Sequence, residues 1–159
     1  MNTFLPHMSY VESAKALDGK RLNKQLTECW QLILCYVKVH DLDNEQVHKH
    51  FGHYALLKKI PAMRHHPAYR MWDDNFTPLI CYTQAIGIEC VERGYKAGVI
   101  DSLDLLLNCI PLPLGDYYPK WWCTAAGDAF REDCRANLKR KDPTHYKYDT
   151  MPKEGYRWP

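Results

Sequence analysis

The stretch Lys20-Arg21-Leu22-Asn23-Lys24-Gln25-Leu26-Thr27-Glu28 organises the reading of the whole chain. Within the longer segment Ser9 to Val39, Leu22, Leu26, Cys29, Trp30, Ile33, Leu34 and Val37 recur at intervals of three and four. That spacing predicts a helix with one buried stripe. Arg21, Lys24, Gln25 and Glu28 follow the same period on the opposite side, so two cations, an amide and a carboxylate share one face. Such a face is either a solvated helix surface or a site for an anionic partner.

Upstream, Ser9-Tyr10-Val11-Glu12 has the form of a capping box and starts the first helix, which Gly19 kinks or splits. Thr3 to His7 reads as an extended arm, because Pro6 disfavours helix at Leu5. Downstream, the polar residues Asp41 to Asn44 end the helix. Residues 45–59 are helical but ambiguous, and Ile60-Pro61 closes them. Pro61 to Pro67 is a loop leading into Tyr69, Arg70, Met71 and Trp72. Thr77-Pro78 is a helix start with Pro at the first position, followed by the stripe Leu79, Tyr82, Ile86 and Cys90. Arg93 suits its last turn and Gly94 its stop. Ser102 to Cys109 forms a short apolar helix stopped by Pro111 and Pro113. Gly115 to Trp122 is an aromatic loop. A last helix from Thr124 to Lys141 carries Ala126, Phe130, Cys134 and Leu138 on one side; Lys139, Arg140 and Lys141 complement its dipole, and Asp142-Pro143 ends it. No strand alternation competes, and no repeat is present. The expectation is an all-α fold: a compact single domain over residues 1–159, a non-symmetric helical bundle with an irregular aromatic C-terminal tail.

Composition agrees. The 159 residues are 46% hydrophobic and 25% charged, the balance of a soluble globular chain. No apolar run approaches a membrane span and the N-terminus has no signal core, so a cytoplasmic protein without a membrane partner is expected. Seven cysteines without a Cys-x-x-Cys pair point to buried free thiols. The net charge of +2 is small, but its distribution is not even. Arg131 to Pro159 holds eight Lys/Arg against five Asp/Glu, and Lys15 to Lys24 holds four against one. If the chain ends meet, these regions make one electropositive surface.

Three constellations bear on chemistry. The tail Pro143-Thr144-His145-Tyr146-Lys147-Tyr148, continued by Tyr156-Arg157-Trp158, interleaves rings with cations. Such rings stack on unpaired bases while cations meet phosphates, unless the tail merely wraps the core. Six of the eight histidines lie between residues 40 and 66. His50 and His53 are spaced for two ligands of one metal, but no acid completes the set within that segment, so neither metal nor cofactor is expected. His65 and His66 suit a pocket better than a metal. Finally, phosphate loops, the nucleophile elbow and the zinc-protease helix are all missing. The nucleophile that every chain carries is its own α-amino group, with an ordinary pKa of about 7.7–8.0. Lys20, Arg21 and Lys24 would depress it further.

The chain resembles the pyrimidine-dimer DNA glycosylases of the endonuclease V type, particularly their bacterial members. The likeness runs through Thr3-Phe4-Leu5-Pro6, Leu17-Asp18-x-Lys20-Arg21-Leu22-x-Lys24-Gln25 and His66-Pro67-Ala68-x-Arg70-Met71-Trp72. It continues through Glu89-Cys90-Val91-x-Arg93-Gly94-Tyr95 and Arg140-Lys141-Asp142-Pro143-x-His145-Tyr146; with the phage type the chain shares Asp116-Tyr117 and Pro143-Thr144-x-Tyr146-Lys147-Tyr148.

The resemblance implies an all-α enzyme whose N-terminal amine attacks C1′ of a damaged nucleotide and forms an imine with the opened sugar. Strand cleavage by β-elimination follows, with a neighbouring glutamate assisting and one base turned out of the stack. It implies Met1, Gln25 and Glu28 as the catalytic set. Lys20, Arg21, Lys24, His65, His66, Arg70, Tyr146, Lys147 and Tyr148 would hold duplex DNA bearing damaged or modified pyrimidines, the protein acting as a monomer. Two departures stand out. Asn2 is too large for efficient methionine removal, so the amine is that of Met1. The family glutamate falls on Gln25, an amide, leaving Glu28 and Asp18 as the nearby acids. The rival reading is a non-catalytic binder of distorted or modified DNA on the same scaffold; a metal-dependent enzyme using the histidines is a third. On the leading reading, the amine, the Arg21/Lys24/Gln25 face, the His65-His66 loop and the Tyr146-Lys147-Tyr148 tail converge on one concave basic surface. The alternative leaves the Arg21 face in open solvent and buries the tail rings against the 77–93 stripe.

Overall fold

The apolar stripe of the first long helix does form the axis of the molecule. The computed structural model describes residues 3–111 and 115–159, so Met1, Asn2 and the segment 112–114, with Pro113, lie outside the described residues. Among the described residues there are eight α-helices and no strand: α1 Tyr10–Ala16, α2 Gly19–Val39, α3 Glu45–Phe51, α4 Ala55–Lys58, α5 Pro67–Arg70, α6 Phe76–Glu92, α7 Gly98–Cys109 and α8 Ala125–Lys141, with a 3-10 turn at Ala62–His65. None of them is long and apolar enough to cross a membrane. The fold is all-α.

The helix that Gly19 interrupts is split in two. Ser9 caps α1 through Glu12 N, Leu17 turns extended, and Asp18 caps α2 through Arg21 N. A Cβ at Gly19 would sit 2.4 Å from the Tyr95 hydroxyl oxygen, so any larger residue at the corner would displace that exposed side chain. The corner is held from α6. Arg93 pairs with Glu89 at 2.6 Å and donates to the Leu17 carbonyl at 2.6 Å and the Lys15 carbonyl at 2.8 Å. The guanidinium thereby satisfies carbonyls that the end of α1 leaves open. α6 itself ends as expected: Gly94 adopts φ 74°, Gly94 N–H bonds to Val91 O, and Tyr95 N–H bonds to Cys90 O. That paired closure is the Schellman arrangement, and the left-handed residue in it favours glycine.

Residues 45–59 fall into two short helices, α3 and α4, broken at Gly52 and His53. α6 starts at Phe76, two residues ahead of the expected first position at Pro78, and Phe76 is held in the helix by its stack on Tyr36 at 4.1 Å. Pro78 therefore occupies the third helical position, still within the turn whose N–H groups lack helical partners. α7 begins at Gly98, ahead of Ser102.

Leu22, Leu26, Cys29, Ile33, Leu34 and Val37 of α2 are buried in one core with Leu79, Tyr82 and Ile86 of α6 and Phe130, Cys134 and Leu138 of α8. Full burial of each large aliphatic or aromatic side chain contributes about 1.5–3 kcal/mol. The aromatic loop packs under α1: Tyr10 meets Tyr118 at 4.8 Å and Trp122 at 5.2 Å. All seven cysteines are free, with Cys29, Cys35, Cys90 and Cys134 buried. The tail lies along α8, where Tyr156 and Trp158 sit 5.7 and 5.3 Å from Phe130. Its rings pack on α8 and on the start of α2 rather than on the α6 stripe.

Candidate nucleic-acid interface

The N-terminal arm fixes where the chain start meets the helices. Thr3 to Pro6 are buried. Phe4 N–H donates to Gln25 Oε1 at 3.1 Å, and Tyr82 Oη donates to Phe4 O at 2.7 Å. Cys134 Sγ contacts Thr3 O at 3.5 Å, and Arg135 Nε donates to Pro6 O at 2.7 Å. Each backbone group of an extended segment needs such a partner once buried. Gln25, 1% exposed, is thus committed: its carbonyl receives the arm, and its Nε2 approaches Cys29 Sγ at 3.5 Å.

One turn further along the same face, Glu28 is 8% exposed, with Lys24 Nζ at 3.9 Å. Its charge acts on His66 of α5 and Tyr156 of the tail.

Asp18 is the hub of the cation face. Its carboxylate caps α2, pairs with the Arg21 guanidinium, and accepts from Tyr146 Oη at 2.6 Å, while Asp18 N–H donates to the same Tyr146 oxygen at 3.0 Å. Burial alone would raise the Asp18 carboxyl, but the hydrogen bonds from Tyr146 and Arg21 outweigh it and hold it at about 2. The Arg21 guanidinium also lies over the Tyr146 ring, 5.4 Å from its centre. Tyr146, 2% exposed, therefore works as the bed under Arg21 and presents no open face.

The two basic regions of the sequence meet. Lys20, Arg21 and Lys24 from α2 and Lys141 from the end of α8 line a cavity of about 210 Å³ that has Phe4 as its apolar wall. Burial and the neighbouring charges of Arg140, Arg21 and Lys24 lower the Lys141 pKa, the direction expected where cations crowd. A cavity lined by one sign of charge concentrates an anionic partner. Lys141 was legible only as a helix-end cation, and Phe4 only as part of the arm.

The remaining candidates lie at different distances from this focus. His66 caps α5, its Nδ1 accepting from Ala68 N–H at 3.0 Å, and burial lowers its pKa. His65 is exposed and receives Arg64 Nε at 3.0 Å; Arg70 is exposed. Lys147 is exposed and donates to Pro143 O at 3.1 Å. Tyr148 is half-buried with its ring 5.9 Å from His7. His40 pairs with Asp73 and His48 with Asp43. Among the described residues no three of His, Cys, Asp and Glu gather as a metal site.

A model of the pyrimidine dimer DNA glycosylases matches residues 1–101. The chain belongs to that family. The matched segment carries the N-terminal arm, Asp18, Lys20, Arg21, Lys24, Gln25, Glu28 and His66. In this glycosylase the remaining residues add Lys141 to the cation cavity, Tyr146 beneath Arg21, and the tail beside His66. No curated protein and no solved structure matches the chain. Family membership makes this a DNA-repair protein of the glycosylase class with DNA as its substrate.

Proposed function

We propose that the protein removes a damaged or modified pyrimidine from duplex DNA and then cuts the strand as a lyase, using the α-amino group of Met1. The supporting observation is the cation cavity walled by Phe4, beside the buried arm and one turn from a carboxylate. From Thr3, two residues span at most about 7 Å. In the first step the neutral amine attacks C1′, the bond from C1′ to the base breaks, and the base departs with the bonding electrons and takes up a proton. Ring opening leaves an iminium between the amine and C1′. Loss of a C2′ proton then expels the 3′ phosphate, and water releases the aldehyde.

Gln25 is occupied by Phe4 and, as an amide, cannot move a proton. Glu28 is therefore assigned the family glutamate's work: stabilising the cationic sugar and shuttling protons at C1′ and C2′. Lys20, Arg21, Lys24 and Lys141 hold phosphates on both sides of the reacting nucleotide. Borohydride reduction during reaction with lesion-bearing or abasic duplex should trap a covalent adduct at residue 1. Base release without any adduct would remove the imine step. A binder that lost its chemistry is the second reading, favoured by the amide at position 25. It predicts salt-sensitive binding to distorted duplex with neither base release nor adduct.

A further inference from the structure

The cations around the Phe4 cavity are not equivalent. Arg21 is paired with Asp18, Lys24 Nζ lies 3.9 Å from Glu28, and Arg140, the residue before Lys141, reaches Glu154 at 3.4 Å. Among the described residues Lys141 makes neither an ion pair nor a hydrogen bond. It is the last residue of α8, it is exposed, and it lines the cavity opposite Lys20, Arg21 and Lys24 of α2. Lys20 is unpaired as well, at the first turn of α2. Lys141 feels cations of both helices, Arg21 and Lys24 on α2 and Arg140 on its own, against the opposing charge of Glu154, which Arg140 already holds.

An amine attacks a carbonyl only in its neutral form, and an ordinary lysine, with a pKa near 10.5, is almost wholly protonated. Three features of this site favour the neutral form of Lys141. No carboxylate or carbonyl holds its proton, partial desolvation penalises its charge, and the neighbouring cations repel it, so its pKa is lowered. Arg21 and Arg140 cannot take this part, because a guanidinium keeps its proton. The cavity also suits the substrate: cations for the phosphates, an apolar ring for the sugar, and an open mouth through which an exposed Nζ meets the strand.

We propose that Lys141 Nζ is a second amine nucleophile, which captures the aldehyde of an abasic deoxyribose and cuts the strand there independently of the α-amino group. The proposal rests on the DNA reading above and places a catalytic residue beyond the segment that the family model matches. Neutral Nζ adds to C1′ of the ring-opened sugar and gives up a proton as the carbonyl oxygen gains one. Loss of water leaves a protonated imine. C2′ then yields a proton to water, and the C3′–O bond breaks with its electron pair passing to the phosphate oxygen. Hydrolysis of the imine returns the lysine and releases the unsaturated aldehyde.

Borohydride trapping on duplex with a preformed abasic site, followed by digestion and mass spectrometry, locates the amine. A reduced adduct should appear on Lys141 as well as on residue 1. With the α-amino group blocked by enzymatic acetylation, trapping should persist. Lys141→Arg in the blocked protein should lower it roughly tenfold or more, with duplex affinity held within a few-fold because the charge is kept. An adduct confined to residue 1 overturns the proposal and leaves the α-amine reading intact. Equal yields on Lys20 or Lys24, or a blocked Lys141→Arg protein that traps as well as its parent, overturn it too, since any lysine near the strand would then serve. An adduct on Lys141 with none on residue 1 supports it and removes the α-amine from the mechanism. No adduct with any of these proteins overturns both.

Discussion

The Tyr146 hydroxyl donates to the Asp18 carboxylate and accepts from the Asp18 N–H, joining residues 128 positions apart at the corner between α1 and α2. The same tyrosine ring lies beneath Arg21. Tyr146→Phe keeps the ring and deletes both bonds, leaving the partly buried Asp18 N–H without a partner and the carboxylate with Arg21 alone. A loss of about 1–3 kcal/mol in stability is expected. DNA affinity should fall as well, because the ring beneath Arg21 is no longer tethered to Asp18. Denaturant titration measures the first effect and fluorescence anisotropy the second.

Asp133 holds the tail to α8. Burial alone would raise its carboxyl, but Arg157 and Lys153 outweigh it and keep it at about 2. The folded pKa is thus below the ordinary value near 3.8. Its contribution is fully present above about pH 4 and is lost as pH falls towards 2. The magnitude is about 2 kcal/mol. Asp133→Asn should flatten the acid-unfolding profile between pH 4 and 2 and raise amide exchange over residues 153–158. A variant with an unchanged acid profile would refute the latch.

Glu28 and Gln25 should separate chemistry from folding. Glu28→Gln should lower the base-release rate by about 10²–10⁴ while affinity for duplex stays within a few-fold. Gln25→Ala should cost about 1–3 kcal/mol of stability, since the buried Phe4 N–H loses its acceptor. If Gln25→Ala is as stable as the parent and Glu28→Gln as active, the assignment is reversed.

The cation cavity should show in salt dependence. Each phosphate contact removed lowers the slope of log affinity against log salt by about 0.9. Lys24→Ala and Lys141→Ala should each do so, and the double variant should lose both increments. Lys147→Ala should leave the slope nearly unchanged if, in the complex as here, Lys147 stays turned back to Pro143.

The sequence was most legible where a local rule and burial agree. Leu22 to Val37 announced α2, Ser9 the cap of α1, and Gly94 the closure of α6, because each needs only neighbours within a few residues. Phe76 shows where that reading stops: its stack on Tyr36 goes with a helix start two residues ahead of Pro78, where Thr77-Pro78 placed it. Periodicity also showed that the tail has rings to bury but not which helix receives them, so Phe130 of α8, not the α6 stripe, was invisible as their partner. Lys139-Arg140-Lys141 was plain as charge. That Lys141 would face Lys20 and Lys24 depends on the path of the whole chain, which no spacing encodes. Gln25 and Glu28 share a face in the sequence, yet only the buried arm reveals that the amide is already occupied.

The burial of Thr3 to Pro6 among α2, α6 and α8 has a practical corollary for anyone attaching handles to this protein. Any extension ahead of Thr3 starts from a segment clamped beside the cation face, and one after Pro159 starts beside Trp158, which packs on Phe130. Affinity tags or fluorophores at either terminus would therefore compete with the surfaces they were meant to report on. The exposed corner at Asp41, with φ 54°, and the exposed His53 between α3 and α4 are the places where a label leaves those surfaces clear.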